Sequence, residues 1–134
     1  MAVTIKQLID KNKKAYDDRF FIESVNLSYI LINKALKQIV KDDLHQEHID
    51  QKIKTSNLIS HIKKELDTNP SIKTKISKKL IKDIVLFSAL YKSIAKELKY
   101  QFPEKKIAET AQLGINCCII LNTSLVKIRN NKVD

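Results

Sequence analysis

Two adjacent cysteines, Cys117 and Cys118, are the chain's only thiols and its first candidates for nucleophilic or redox chemistry. Neighbouring side chains on a helix point about 100° apart, so these two cannot easily bridge each other or share a metal. Both lie in the most apolar segment of the sequence, where burial raises the pKa of a thiol and makes it inert. We therefore predict two small buried apolar residues in a reducing compartment.

Histidine and carboxylate residues cluster in one polar, aperiodic segment. The cluster comprises Asp42, Asp43, His45, Glu47 and His48. His-x-x-His beside carboxylates is a pattern that binds zinc or another divalent metal. A competent site needs a full set of fixed ligands, which this segment lacks, so solvated loop residues with no metal or other cofactor are expected. His61 has no second histidine near it in sequence, and a partly exposed structural side chain is expected there.

Three other classes of function are disfavoured by the composition. Gly114 is the only glycine, so a glycine-rich phosphate loop is not possible. The longest charge-free run, residues 110–126, includes several polar side chains and falls short of the roughly 20 apolar residues of a membrane span. The first residues lack the apolar core of a signal peptide, which predicts a cytoplasmic protein without membrane association.

The chain is strongly basic, mainly because of its lysines, with a net charge of +10 at pH 7. Such a charge favours nucleic acid, an anionic surface or an acidic protein partner, although lysine-rich composition alone also produces it. The candidate nucleic-acid-binding residues are Lys73, Lys75, Lys78, Lys79, Lys82, Lys96, Lys99, Lys105, Lys106 and Arg129. Few aromatic residues accompany them, so contacts with RNA would be to phosphates and largely independent of sequence.

The elements that position these residues follow from the scarcity of glycine and proline. One Gly and two Pro cannot supply the tight turns of an all-β fold, so helices joined by polar loops are expected. Helical spacing of apolar residues predicts helices at 4–16, 20–41, 55–66 and 70–101, and a last one from 104–110 to about 130. We predict an all-α fold, a single domain over residues 1–134 built as an antiparallel up-and-down bundle of four to five helices.

Capping residues support several of these boundaries. Thr4 and Gln7 form a capping box at the first helix, and Asn69 with Pro70 is a favourable start for the fourth. Pro103 ends the fourth helix, because the residue before a proline avoids the α conformation.

One face of that helix carries four lysines, namely Lys75, Lys78, Lys79 and Lys82. They crowd its N-terminal half, where the helix dipole disfavours cations. An anionic partner and a merely solvated face both fit this placement.

The last predicted helix carries two apolar stripes. The first steps by four and three through Ile107, Ala111, Gly114, Cys118, Leu121, Leu125 and Ile128. The second runs through Ile115, Ile119 and Val126. One stripe can face the bundle core, and the other needs a neighbouring helix or a second subunit. We therefore predict a homodimer to which this helix, or the long fourth helix, contributes apolar residues.

From about residue 16 onward, the order of segments resembles the HEPN superfamily (named for nucleotide binding in higher eukaryotes and prokaryotes). Residues 18–29 resemble the opening of that family's second helix, and residues 54–62 resemble its short helix that often reads His-x-Leu-x-x-Leu. Residues 100–103 read Tyr-Gln-Phe-Pro where many members have Arg-Tyr-Pro, and residues 110–113 then open a final long helix. The resemblance implies an antiparallel bundle that commonly dimerises. It also implies a link to RNA cleavage, nucleotide binding or a nucleotidyltransferase partner.

The residues that cleave RNA in ribonuclease members of this family do not have clear counterparts. Those members carry an Arg, a polar residue and a His about five residues on. Here Arg129 with Asn130 is the only candidate and no histidine follows, while Arg19 has none within that distance. Without an acid–base pair, the resemblance implies a non-catalytic dimeric module that binds a protein partner or RNA. Two alternatives stay open: a helical protein that binds nucleic acid independently of sequence, and a ribonuclease with displaced catalytic residues.

Overall fold

The computed structural model describes residues 4–43, 54–66, 68, 70, 76–97 and 103–133, with side chains described except at 41–43, 97 and 124–133. Within these residues there are five helices, which are α1 (Ile5–Asp17), α2 (Phe21–Asp43), α3 (Thr55–Leu66), α4 (Lys78–Glu97) and α5 (Glu104–Val133). The described part of the chain contains no strand, so the predicted all-α fold is confirmed. The bounds of α1, α2, α3 and α5 agree with the prediction to within three residues.

The first helix begins with the predicted capping box. The N–H of Gln7 donates to Thr4 Oγ1 at 3.1 Å, and the N–H of Thr4 donates to Gln7 Oε1 at 2.8 Å. This pair satisfies two N–H donors that have no partner inside the helix.

A short turn after α1 reverses the chain into α2. Arg19 has a φ of 66° in this turn, a left-handed conformation that costs a non-glycine residue about 1 kcal/mol.

The fourth predicted helix is interrupted rather than continuous. Pro70, at the predicted start, is helical, and residues 71–75 lie outside the described residues. The backbone at Ile76 and Ser77 is not helical, and α4 starts at Lys78. Ser77 Oγ accepts a hydrogen bond from the N–H of Leu80 at 3.0 Å and so caps the helix. The prediction of a continuous helix through Ile76 was wrong because that side chain is buried, so the apolar repeat extends into a residue that precedes the helix.

The second helix lies at the centre of the bundle and contacts each of the other helices. α5 packs on α1, α2 and α4, most extensively on α2. Phe87 of α4 lies beside Gly114 of α5, whereas Asp83, one turn earlier, acts on Cys117, so α4 and α5 are antiparallel. α2 and α5 run in the same direction, because Arg19 and Glu104 pair at their starts and Ser28 contacts Cys118 further along both helices. No helix in the described part of the chain is long and apolar enough to cross a membrane.

The only glycine lies where three helices meet. A β-carbon at Gly114 would be 2.6 Å from Phe87 Cε2 of α4, closer than carbon atoms approach without repulsion. Cys118, one turn further along α5, donates its S–H to the carbonyl oxygen of Ser28 on α2 at 3.6 Å. The missing side chain at Gly114 therefore lets α5 lie in close contact with both α2 and α4.

Candidate binding surface

The first basic cluster lies at the start of α4. Lys78 and Lys79 occupy its first turn and Lys82 follows one turn later, and all three side chains are exposed. The first turn of α4 contains no acidic residue. Lys73 and Lys75 lie outside the described residues, as does the prediction that Lys75 shares a helical face with the others. We call Lys78, Lys79 and Lys82 the α4 basic cluster.

The second group of predicted binding residues lies at the other end of α4. Lys96 is in its last turn, and Lys105 and Lys106 are in the first turn of α5, all with exposed side chains. At about 1.5 Å per residue, Lys79 and Lys96 are about 25 Å apart along the α4 axis. The predicted binding residues therefore form two separate surfaces rather than one. Lys99 lies outside the described residues, and Arg129 lies in α5 with its side chain outside them.

Acidic side chains accompany the second group. Glu104 and Glu109 share the first turns of α5 with its two lysines. The Arg19 guanidinium donates to Glu104 Oε1 at 3.1 Å, and both side chains are mostly solvent-exposed. An exposed pair of this kind contributes well under about 1 kcal/mol to stability. The mixed charge makes this end of the bundle a poorer anion-binding surface than the α4 basic cluster.

Aliphatic side chains that the sequence analysis did not single out lie one turn after the α4 basic cluster. Val85 is 37% exposed and Leu86 is 51% exposed. Both lie off the buried stripe of α4, and a large apolar residue off that stripe is the signal that marks them in the sequence. An open groove of about 310 Å³ runs beside Val85 between α3 and α4, with Ile59 and Ala89 in its walls and Lys92 at its edge.

Apolar side chains are also exposed elsewhere among the described residues, including Ile30 on α2. Phe20 and Ile22, at the turn between α1 and α2, are 59% and 41% exposed and line an open groove of about 370 Å³ with Glu104. On α5, the described part of the first apolar stripe is buried, as predicted. The second stripe divides: Ile115 is buried within the chain, whereas Ile119 is 37% exposed.

Both thiols are free and buried, so the predicted burial is confirmed. Burial, with a smaller contribution from the charge of Asp83, raises the pKa of Cys117 to about 12. Burial also raises the pKa of Cys118 to about 12, although the hydrogen bond to Ser28 acts in the opposite direction. A thiol with such a pKa carries almost no thiolate at neutral pH. Neither cysteine is therefore suited to nucleophilic catalysis or metal binding.

The most buried polar side chains form a network between α1 and α2. Asn12 Nδ2 donates to Ser28 Oγ at 2.7 Å, and Ser24 Oγ donates to Asn12 Oδ1. All three residues are at most 1% exposed. Asn12 lies three residues after Ile9 and three before Ala15, on the buried face of α1, and this spacing is the signal that identifies it. Each of the three side chains has a hydrogen-bond partner within the network, so the network serves the packing of α1 on α2.

The histidines do not form a site in the described structure. His61 is half-buried on α3, as the sequence predicted, and the His45–His48 segment lies outside the described residues. In the part of the chain that the structure describes, no three His, Cys, Asp or Glu residues are grouped closely enough to hold a metal ion.

An aromatic contact fixes α2 against α4. The rings of Tyr29 and Tyr91 stack with centroids 4.0 Å apart and planes 7° apart. The Thr55 hydroxyl, at the start of α3, lies 3.0 Å from both the Tyr29 hydroxyl and Asn33 Oδ1. These contacts connect α2, α3 and α4.

Comparison of the chain with protein-family models, with curated proteins and with solved structures gave no match.

Proposed function

We propose that the protein is a non-catalytic, HEPN-like helical module that acts as a homodimer and binds a protein partner or RNA. The observation that carries the proposal is that the most reactive side chains are buried, whereas a group of cations is exposed. The groups most capable of covalent chemistry, Cys117 and Cys118, are buried with raised pKa values. The exposed cations of the α4 basic cluster instead lie together on one short helical segment. Such a distribution suits a binding surface better than a reaction centre.

RNA is one partner class that the α4 basic cluster suits. Three ammonium groups within about one and a half helical turns can each approach a phosphate. Asp83 lies within this segment, but it is half-buried and close enough to Cys117 to act on that thiol. Because no exposed aromatic residue of α4 accompanies the lysines, the expected contacts are ionic, salt-sensitive and independent of sequence.

A protein partner is the second class, and Val85 and Leu86 favour it. Phosphate contacts make little use of aliphatic surface, whereas a protein that covers such surface gains about 25 cal/mol per Å² of apolar area. An apolar centre beside a charged rim is the usual composition of a protein interface. The resemblance to HEPN proteins implies a nucleotidyltransferase as the type of partner. Acidic residues of that partner would face the α4 basic cluster.

The experiment that tests the proposal is a charge reversal with a matched control. Lys79→Glu/Lys82→Glu changes two charges in the cluster, and Lys6→Glu/Lys13→Glu makes the same change on exposed residues of α1. Binding of a fluorescent single-stranded RNA is measured by anisotropy at several salt concentrations. We expect log affinity to fall against log salt with a slope of about −0.7 per phosphate contact, and this slope should become shallower only in the α4 variant.

The outcomes separate the two partner classes. Equal loss in both variants would show that net charge alone binds RNA, which contradicts an RNA site at the cluster. If the wild type does not bind RNA, the RNA arm of the proposal is wrong. The protein arm then requires that a partner purified with the tagged chain is released by Leu86→Glu and by the α4 variant but not by the α1 variant. RNA should stay intact throughout, and cleavage lost in Arg129→Ala would contradict the non-catalytic assignment.

A further inference from the structure

A cavity of about 170 Å³ lies between α1, α2 and α5, away from the α4 basic cluster. Its interior is formed by aliphatic side chains from all three helices, including Ile9, Leu31, Ala35 and Leu121. These four residues are at most 9% exposed. Cys118, with its protonated and unreactive thiol, completes the apolar wall.

The size and lining of the cavity determine what can occupy it. A water molecule needs two to four polar partners, which an aliphatic interior does not offer. Cavities of about 150 Å³ lined by aliphatic and aromatic side chains stay dry and accept a molecule of benzene. The cavity of this protein is slightly larger. Its interior therefore fits an apolar group of about the size of one six-membered ring.

The rim of the cavity is polar, and the described residues there carry only positive charge. Lys34, Gln38 and Asn122 line it together with the aliphatic residues, and no carboxylate is among the described lining residues. Lys34 is exposed, and among the described residues no acidic side chain forms an ion pair with it. A lysine can lay its alkyl stem along apolar surface while its ammonium stays in water. Lys34 can therefore place a positive charge at the mouth of an apolar cavity.

We propose that this cavity is a binding site for a small monocarboxylate whose apolar body is about the size of a benzene ring. The ring occupies the space between Ile9, Leu31 and Leu121, and the carboxylate stays at the mouth beside the Lys34 ammonium. The aliphatic wall selects the ring, and the Lys34 ammonium selects the acid. Amide groups of Gln38 and Asn122 can donate further hydrogen bonds to the carboxylate oxygens.

Benzoate and toluene are the probes, because they share a ring and differ in the carboxylate. Titration of isotope-labelled full-length protein by NMR should show saturable binding of benzoate, with intermolecular NOEs from its ring protons to the methyl groups of Leu31 and Leu121. Lys34→Gln should weaken benzoate binding by about 1.5- to fivefold, the range of an exposed ion pair. Toluene binding should not change in that variant, and Lys64→Gln on α3 should change neither.

Filling the cavity is the second test. Ala35→Leu adds three carbon atoms to the cavity wall and should abolish the binding of both probes. If that variant does not fold, the NOEs to Leu31 and Leu121 in the wild type still decide where benzoate binds. Absence of saturable benzoate binding at millimolar concentration would overturn the proposal. So would NOEs to other residues, or equal benzoate affinity in the wild type and Lys34→Gln.

Discussion

Gly114 on α5 and Ser28 on α2 are in such close contact that a β-carbon on Gly114 would lie 2.7 Å from Ser28 Cβ and 2.8 Å from Ser28 Oγ. Ser28 is itself a small residue, is fully buried, and accepts a hydrogen bond from Asn12. One residue pair therefore connects the α2–α5 contact to the polar network of α1. The separation of these helices is set at this point, because neither neighbour can move without losing a buried interaction.

Gly114→Ala should destabilise the protein by about 1–3 kcal/mol, although alanine is the better helix former, because overpacking forces backbone shifts. The free energy of unfolding from urea denaturation measures the effect. Gln112→Ala, at an exposed position on the same helix, is the control and should change stability by less than about 0.5 kcal/mol. An equally or more stable Gly114→Ala would mean that α2 and α5 can separate freely.

Asn12→Ala should cost about 1–3 kcal/mol, because it leaves the buried hydroxyls of Ser24 and Ser28 without their partner. The double variant with Ser24→Ala should lose less than the sum of the two single variants, with a coupling above about 0.5 kcal/mol. Asn116→Ala removes an exposed amide and provides the control. Additive losses in the double variant would show that Asn12 and Ser24 do not share an interaction.

The free energy of unfolding should fall at alkaline pH, because the two thiols ionise more readily in the unfolded chain than in the folded one. Each has a pKa near 9.0 when unfolded and about 12 in the folded chain, so between these values the unfolded state releases a proton that the native state keeps. The contribution is complete below about pH 9 and is lost as the pH rises towards 12, by about 1 kcal/mol per pH unit for each thiol.

Urea denaturation at pH 8 and pH 10.5, in the presence of a reductant, measures this loss. Cys117→Ala/Cys118→Ala should be less stable at pH 8 but should lose less between the two pH values than the wild type. The two proteins differ only at these two positions, so the difference between their losses isolates the thiols. Equal losses would contradict the raised pKa values.

Light scattering of the wild type tests the proposed homodimer. Ile119 is 37% exposed in the single chain, so Ile119→Asp leaves the carboxylate hydrated and should dissociate a dimer without unfolding the helices. Leu121→Asp is the contrasting variant. Leu121 is 1% exposed, and an unpaired buried charge there should unfold the chain. A monomeric wild type at high micromolar concentration would end the dimer proposal.

The buried stripes of the helices could be predicted from the sequence, because apolar residues recur with the period of the helix. α3 illustrates this: Leu58, Ile59, Ile62 and Leu66 are all buried, as predicted. The start of α4 could not be located in the same way. Burial of Ile76 depends on neighbouring helices, so the apolar pattern continues past the point where the backbone stops being helical.

The candidate surfaces could not be predicted from the sequence, because they depend on how the helices pack. Spacing alone places Lys79 and Lys82 on one helix face, but whether Val85 and Leu86 beside them are covered depends on how α3 and α5 lie against α4. The cavity beside Ala35 is likewise a property of three helices, and no local pattern marks it. Asn12 is the exception, since a polar residue in register with Ile9 and Ala15 marks a buried polar group in the sequence itself.

The stacked pair of Tyr29 and Tyr91 gives the protein an intrinsic optical probe. The chain has no tryptophan and only four tyrosines, so tyrosine dominates its near-ultraviolet absorption and emission. Two of the four rings are in van der Waals contact across the α2–α4 boundary, and their electronic transitions are coupled as long as the helices hold that distance. Near-ultraviolet circular dichroism therefore reports on this helix contact without a label, and a ligand or partner that shifts α4 becomes visible in the spectrum.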